Sequence, residues 1–232
     1  MLLALLSDVH GNLEALEACL RHAREHGAER YAFLGDYVGY GAEPGAVTDV
    51  IAQHAASGAI VVRGNHDNAP DDWTQAMLSP AHKEFLASLP LYVRAGETCF
   101  VHSSAATPEA WEYVETSAAA RESIDAATTT YTFSGHLHDQ VLYFRTLAGK
   151  TAPFRPVSGS VVPVPSHRGW LALVGSVGQP RDGNPAAAYA IFDEDAEEMT
   201  FYRVAYDHAA AAAKIRRAGQ PEWLAQRLER GV

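Results

Sequence analysis

The sequence predicts an α/β fold, and three observations lead there. Short apolar runs alternate with helix-period segments through the first 67 residues. From about residue 140 the text turns into short β-rich runs broken by glycine and proline. Residues able to bind metal stand just past the apolar runs, where open parallel sheets place their ligands.

Each element follows from its text. Leu2 to Leu6 is an unbroken apolar run, read as a buried strand. Asn12 caps a helix whose apolar positions Leu13, Leu16, Cys19, Leu20 and Ala23 keep close to a 3.6 period, and Gly27 ends it. Tyr31 to Leu34 is a second buried strand. Pro44 opens a helix reaching about Ala56, stopped by Gly58, and Ile60 to Val62 is a third short strand. Residues 68–90 are polar and helix-like, divided by Pro70 and Pro80, and are expected as a helical cap. Leu91 to Val93 and Thr98 to Val101 are strands around a turn at Gly96, a helix lies within Pro108 to Ala127, and Thr129 to Phe133 is another β-rich run. Residues 140–173 are expected as a β-hairpin insert, because glycines and prolines interrupt them repeatedly. A glycine-rich loop spans Val174 to Asn184, Ala188 to Phe192 pairs with Met199 to Val204, and two helices come after it, Ala209 to Arg217 and Pro221 to about Arg230. All of this is expected in one domain over residues 1–232.

Composition narrows the function. A net charge of -10 and a pI near 5.5 exclude a general nucleic-acid or membrane-surface binder, since no basic excess exists to hold phosphates nonspecifically. A local cationic site stays open, because bound metal adds charge that the count omits. Cys19 and Cys99 form no C-x-x-C pair and read as free buried thiols of a reducing, cytoplasmic setting. Leu2 to Leu6 is too short for a signal-peptide core, and no run approaches a membrane span.

The chemistry sits in five blocks: Asp8-Val9-His10, Gly35-Asp36, Gly64-Asn65-His66-Asp67, Val101-His102 and Gly135-His136-Leu137-His138. An aspartate and a histidine two apart at a strand end sit on one side of the chain, within reach of one cation. Taken singly, Asp36 also reads as an Asx-turn residue and His102 as a satisfied strand-end histidine. Together Asp8, His10, Asp36, Asn65, His102, His136 and His138 offer four imidazoles, two carboxylates and an amide. A single zinc takes about four ligands, so the set suits two ions sharing a carboxylate, roughly 3.5–4 Å apart. Mixed nitrogen and oxygen donors favour manganese, iron, zinc, cobalt or nickel over magnesium or calcium.

In this order the five blocks resemble the calcineurin-like metallophosphoesterase superfamily. Gly35 to Gly41, Gly175 to Gly183 and the tail from Ile215 to Leu228 resemble a bacterial, small phosphodiesterase-like branch, which extends the likeness to nearly the whole chain. The resemblance implies two mixed β-sheets packed as a sandwich flanked by helices. It implies that Asp8, His10 and His138 hold a first metal, that Asp36 bridges, and that Asn65, His102 and His136 complete the second. Manganese is the expected ion of the pair. His66 is then no ligand: it contacts the phosphate and protonates the leaving oxygen, with Asp67 orienting its ring. The implied reaction is phosphoester hydrolysis by a metal-bridging hydroxide, on a small-molecule phosphodiester or nucleotide-like substrate. A dinucleoside-polyphosphate hydrolase or broad phosphomonoesterase is the alternative within the class.

Departures from the family carry information. Gly39-Tyr40 stand where the protein-phosphatase branch has Asp-Arg, which argues against a serine/threonine protein phosphatase. Ser103 and Leu173-Val174 also depart from the bacterial branch, but none is a ligand position. Gly175 to Gly183 reads either as a tight turn or as a backbone nest with Arg181 on the phosphate. Tyr37, Tyr40, Trp111 and Tyr113 either stack a nucleobase or pack. Val141 to Trp170 reads as a rim of the site or a contact in a homo-oligomer. Outside catalysis, the alternative class is a scaffold that binds metal without turnover; the full ligand set and His66 argue for an enzyme.

Overall fold

The computed structural model describes residues 1–232. In chain order its elements are β1 (Leu2–Leu6), α1 (Leu13–Glu25), β2 (Arg30–Phe33), α2 (Pro44–Ala56), β3 (Ile60–Val61), α3 (Asn65–Asn68), α4 (Asp72–Met77), α5 (Pro80–Ser88), β4 (Tyr92–Ala95), β5 (Thr98–Val101), α6 (Ser117–Ala127), β6 (Tyr131–Ser134), β7 (Gln140–Arg145), β8 (Thr151–Phe154), β9 (Val161–Pro163), β10 (Trp170–Val174), β11 (Ala187–Asp193), β12 (Glu198–Val204), α7 (His208–Arg217) and α8 (Glu222–Arg230). No helix is long and apolar enough to cross a membrane.

The strands form two mixed six-stranded sheets, in the orders β3-β2-β1-β11-β12-β9 and β4-β5-β6-β10-β7-β8. Strand periodicity sorts β1 between two cores. Leu3 and Leu5 join Phe100, Phe133, Phe192 and Phe201 between the sheets. Ala4 and Leu6 face the other way, into a core with Leu16, Leu20, Phe33, Val47 and Ile51 under α1 and α2. On the far side, Ile124 of α6 packs on Val141, Tyr143, Leu171 and Leu173. The order is helices, sheet, sheet, helix, with both sheets buried on two faces over much of their width, which is why their strands read as continuous apolar runs.

One stretch differs from a reading by local text. Residues 140–173, expected as a hairpin insert, instead run through both sheets. β7 and β8 pair antiparallel, β10 lies between β6 and β7, and β9 crosses to the edge of the other sheet beside β12. All five residues of β10 are buried, so Trp170–Val174 is an interior strand that happens to come after a proline-rich edge. Residues 68–90 hold α4 and α5, capped by the side chains of Asp71 and Ser79.

The topology gathers chain ends at one place. β1, β2 and β3 run parallel in the first sheet, and β5, β6 and β10 run parallel in the second. The loops leaving β1, β2, β3, β5, β6 and β10 therefore converge at the carboxyl ends of the strands.

Candidate metal centre

The backbone leaves its regular path at the ligands. Asp8, His10, Asp36, His136 and His138 all have φ between +48° and +67°. Left-handed backbone costs a residue with a Cβ on the order of 1–3 kcal/mol and persists only where surrounding structure over-determines it. Here the loops are stitched together: Asp8 N–H donates to Gly35 O at 3.0 Å, His10 N–H to Asp36 O at 2.9 Å and Gly178 N–H to Asp8 O at 2.9 Å. Strand alternation is thus not what brings Asp8 and His10 to one side. β1 ends at Leu6, and left-handed turns at both residues aim them inward. Glycine is required at Gly35, where φ is +93° and a Cβ would lie 2.7 Å from His102 Nδ1.

Each carboxylate is held by one oxygen and presents the other. Asp8 Oδ2 accepts from His136 N–H at 2.9 Å, and Asp36 Oδ1 accepts from His66 N–H at 2.9 Å. Asp8 Oδ1 is buried without any hydrogen-bond partner. Asp36 Oδ2 lies 3.8 Å from His10 Nε2 and 3.4 Å from His102 Nε2, between two groups of nitrogens.

Four imidazoles repeat one arrangement. His10 Nδ1 donates to Val38 O, His102 Nδ1 to Leu34 O, His136 Nε2 to Trp111 O and His138 Nδ1 to Gln179 O, at 2.5–3.1 Å. A carbonyl only accepts, so in each neutral ring the outward nitrogen carries the proton and the inward one presents a lone pair. His10 Nε2 then faces His138 Nε2 at 3.1 Å, and His102 Nε2 faces His136 Nδ1 at 3.1 Å. With the rings neutral, lone pair would stand against lone pair at both places, beside the unpartnered Asp8 Oδ1 at the first and Asp36 Oδ2 at the second, an arrangement that a cation relieves. Asn65 Oδ1 adds an oxygen 3.1 Å from His102 Nε2.

The titration behaviour is that of the metal-free protein, in which protons take the cation's place. Burial alone would lower the His102 pKa; Asp36, with Asp8 behind it, outweighs that and raises it to about 9. Burial and then His102 lower His136 to about 4. Burial favours protonation of Asp8 and Asp36, but the neighbouring histidines hold both carboxyls well below the usual range.

Three sets have ligand atoms within 4.8 Å of one another: Asp8, His10 and His138; Asp36, His102 and His136; and His10, Asp36 and His66. His66 differs from the other four histidines. It is half-buried, with its ring between Tyr40 at 4.6 Å and His10 at 5.1 Å between centroids, and no carbonyl pins its imidazole.

A family model described as a calcineurin-like phosphoesterase superfamily domain matches residues 1–197. The chain belongs to this superfamily. Its class is that of metal-dependent phosphoester hydrolases. It is 31% identical to an uncharacterized protein of Methanocaldococcus jannaschii, over 98% of this chain and 97% of that one. A solved metallophosphoesterase from Sphaerobacter thermophilus is 38% identical, covers 100% of this chain and 99% of its own, and superposes with a TM-score of 0.92. A hypothetical protein from Pyrococcus horikoshii shares the fold at 20% identity and a TM-score of 0.80, covering 100% of this chain and 98% of that one.

Within the phosphoesterase site, Asp67 does not face the His66 ring. Its Oδ2 accepts from Asp36 N–H at 2.8 Å and Gly64 N–H at 2.9 Å, and its Oδ1 from Tyr37 N–H at 2.8 Å. Neighbours on a helical turn point about 100° apart, so on α3 the two side chains diverge. Asp67 turns back to the helix start and pins the Asp36 loop. Burial and then Asp36 push its pKa up to about 7, against the pull of those donors.

Arg181 stands at the rim, its guanidinium held by Gln179 Oε1 at 3.0 Å and lying 5.9 Å from the Tyr40 ring centre. Tyr37 is packing, fully buried with its hydroxyl donating to Val62 O at 2.6 Å. Tyr113 stacks on His136 at 4.0 Å, while Trp111 contributes its carbonyl. His22, His26, His54, His82, His167 and His208 all lie outside the ligand sets. Reading the residues in order misses Gln179, whose contribution is a backbone carbonyl, and also Trp73 and Trp223, which line one cleft with His66 from two helices. For Trp223 a signal exists: Leu224, Ala225 and Leu228 make the buried stripe of α8, and Trp223 falls off it.

Proposed function

We propose that this phosphoesterase is a dinuclear-metal phosphodiesterase acting on small or nucleotide-like substrates. The observation that carries the reading is Asp36 Oδ2, set between His10 of one group of donors and His102 of the other. Asp8, His10 and His138 would hold one ion, Asn65, His102 and His136 the second, and Asp36 both. Two divalent transition ions, with manganese favoured over iron, zinc, cobalt or nickel, would supply Lewis acidity that activates water and offsets charge on the phosphoryl oxygens.

The chain's own residues do the rest. The carbonyls of Val38, Leu34, Trp111 and Gln179 lock four rings with their lone pairs inward, so little reorganisation accompanies binding. His66, at the mouth and free of a fixed partner, donates a proton to the leaving oxygen. Asp67 holds the bridging loop rather than moving a proton. Arg181 balances charge at the phosphate. A diester monoanion asks for less cationic clamping than a monoester dianion, and Tyr40 rather than arginine beside His66 supports the diester reading. Buried free Cys19 and Cys99 support a reducing, cytoplasmic setting.

The test is metal content per chain, by elemental analysis of protein purified without chelator, with hydrolysis of bis-p-nitrophenyl phosphate and p-nitrophenyl phosphate on the same sample. Near two metals per chain, with faster diester turnover, is the expected result. Near zero metal, with no activity after manganese, iron, zinc, cobalt or nickel is added back, overturns it. Two metals without turnover of any ester would make the protein a metal-binding scaffold.

A further inference from the structure

Beside the metal ligands, on the His66 side, opens a cleft of about 450 Å³. Its lining includes Tyr40, His66, Ala69, Trp73, Gln220 and Trp223. The volume lies in the range of small-molecule sites. The wall formed by α8 and by Gly219, Gln220 and Pro221 just before it lies beyond residue 197, where the match to the family domain ends.

The walls have a distinct chemistry. Trp223 is 48% exposed, although the helix that carries it buries Leu224, Ala225 and Leu228. Its ring lies 6.4 Å from that of Tyr40, and Arg227 covers it at 4.8 Å. Tyr40 is held at φ +64°, lies 4.6 Å from His66 and meets both His66 and Trp223 edge-to-face, so a row of aromatic rings runs from His66 to the outer tryptophan. Trp73 of α4 adds a third aromatic side chain. Gln220 donates its Nε2 to Gly41 O at 3.1 Å, which orients the amide and leaves Oε1 to accept. Aromatic faces bind planar rings, and an oriented acceptor reads an amino group on a ring edge.

We propose that this cleft is the leaving-group pocket and takes a nucleobase, so that the ester hydrolysed is one whose leaving alcohol is a nucleoside. The proposal rests on the phosphodiesterase reading above. The link is His66. If His66 protonates the leaving oxygen, the group attached to that oxygen passes His66, and the space beyond His66 is this cleft. Water forms the new P–O bond, and the P–O bond to the nucleoside breaks. The departing oxygen's electron pair takes the proton from His66, and the proton lost by the attacking water restores His66 in the net hydrolysis. Glycerol or another ring-free alcohol offers three aromatic side chains nothing to stack on.

Binding is tested apart from turnover. Full-length protein is titrated with adenosine and, in parallel, with ribose, following tryptophan fluorescence. Saturable quenching by adenosine and none by ribose is expected. Trp223→Ala should weaken adenosine about tenfold or more, and Trp223→Phe should restore most of it. Turnover is then compared on manganese-loaded protein with two diesters, adenylyl-(3′→5′)-adenosine and ring-free glycerophosphocholine. The kcat/KM ratio in favour of the dinucleotide should fall about tenfold in Trp223→Ala and recover in Trp223→Phe, whereas a merely structural role would lower both substrates together. An unchanged ratio, or adenosine binding no better than ribose, overturns the pocket while hydrolysis of bis-p-nitrophenyl phosphate leaves the phosphodiesterase reading standing. Adenosine quenching without hydrolysis of any ester overturns the phosphodiesterase reading and, with it, the leaving-group assignment.

Discussion

The two sides of His66 are built in opposite ways. On one side, loops at the carboxyl ends of parallel strands carry the candidate metal ligands, six of the seven buried and five on left-handed backbone, and every imidazole among them is locked by a carbonyl. On the other side, short helices carry partly exposed aromatic side chains with few hydrogen bonds between them. The first side cannot change one residue without disturbing several loops. The second can exchange a side chain on a helix surface and leave the backbone where it is. On the proposed reading, chemistry is written into strand ends and selectivity into replaceable helical side chains.

Substitutions on each side sharpen or break that contrast. The largest effect is expected from Asp36→Asn, which removes charge from the oxygen shared by the two donor groups. Metal content should fall to below half that of the wild type, with activity lost by more than roughly a hundredfold, as checked by elemental analysis and steady-state kinetics. Next comes His66→Ala, which should keep its metal and lose about 10²–10⁴-fold in kcat. An emptied site in that variant would make His66 a ligand and cancel its role as an acid. Asp67→Ala leaves the N–H groups of Asp36, Tyr37 and Gly64 without their acceptor. It should cost about 2–4 kcal/mol in urea unfolding and weaken metal binding about tenfold. Wild-type stability would sink the positioning role. The smallest effect is expected from Trp223→Ala, which should retain the wild-type metal ratio and stay within about 1 kcal/mol in stability, because the side chain is 48% exposed. Loss of metal there would show the two sides to be one unit after all.

Much of the site was legible in order along the chain. Asp8, His10, Asp36, Asn65, His102, His136 and His138 each stand just after an apolar run, and parallel strands deliver the loops at their carboxyl ends to one edge of the sheet. The role of Asp67 was not legible. Its place beside His66 suggests a dyad, but a residue on a helical turn points where the turn sends it, and here that is back to three backbone amides. The interior place of β10 was hidden too. A buried run records that it has neighbours, not which ones, and only pairing with β6 and β7 separates a core strand from a hairpin insert.

The aromatic cleft marks the limit most clearly. Trp73 and Trp223 stand 150 positions apart, on helices with no shared pattern, and no spacing rule joins them. What the sequence by itself determined is the set of donors and their order, because ligand chemistry belongs to residue type and strand ends are set by periodicity. What only the tertiary structure decided is the direction of each lone pair, the partner of Asp67 and the cleft beside His66. Those depend on left-handed turns, on carbonyls from distant loops and on helix packing, all long-range consequences of how two sheets bring their loops together.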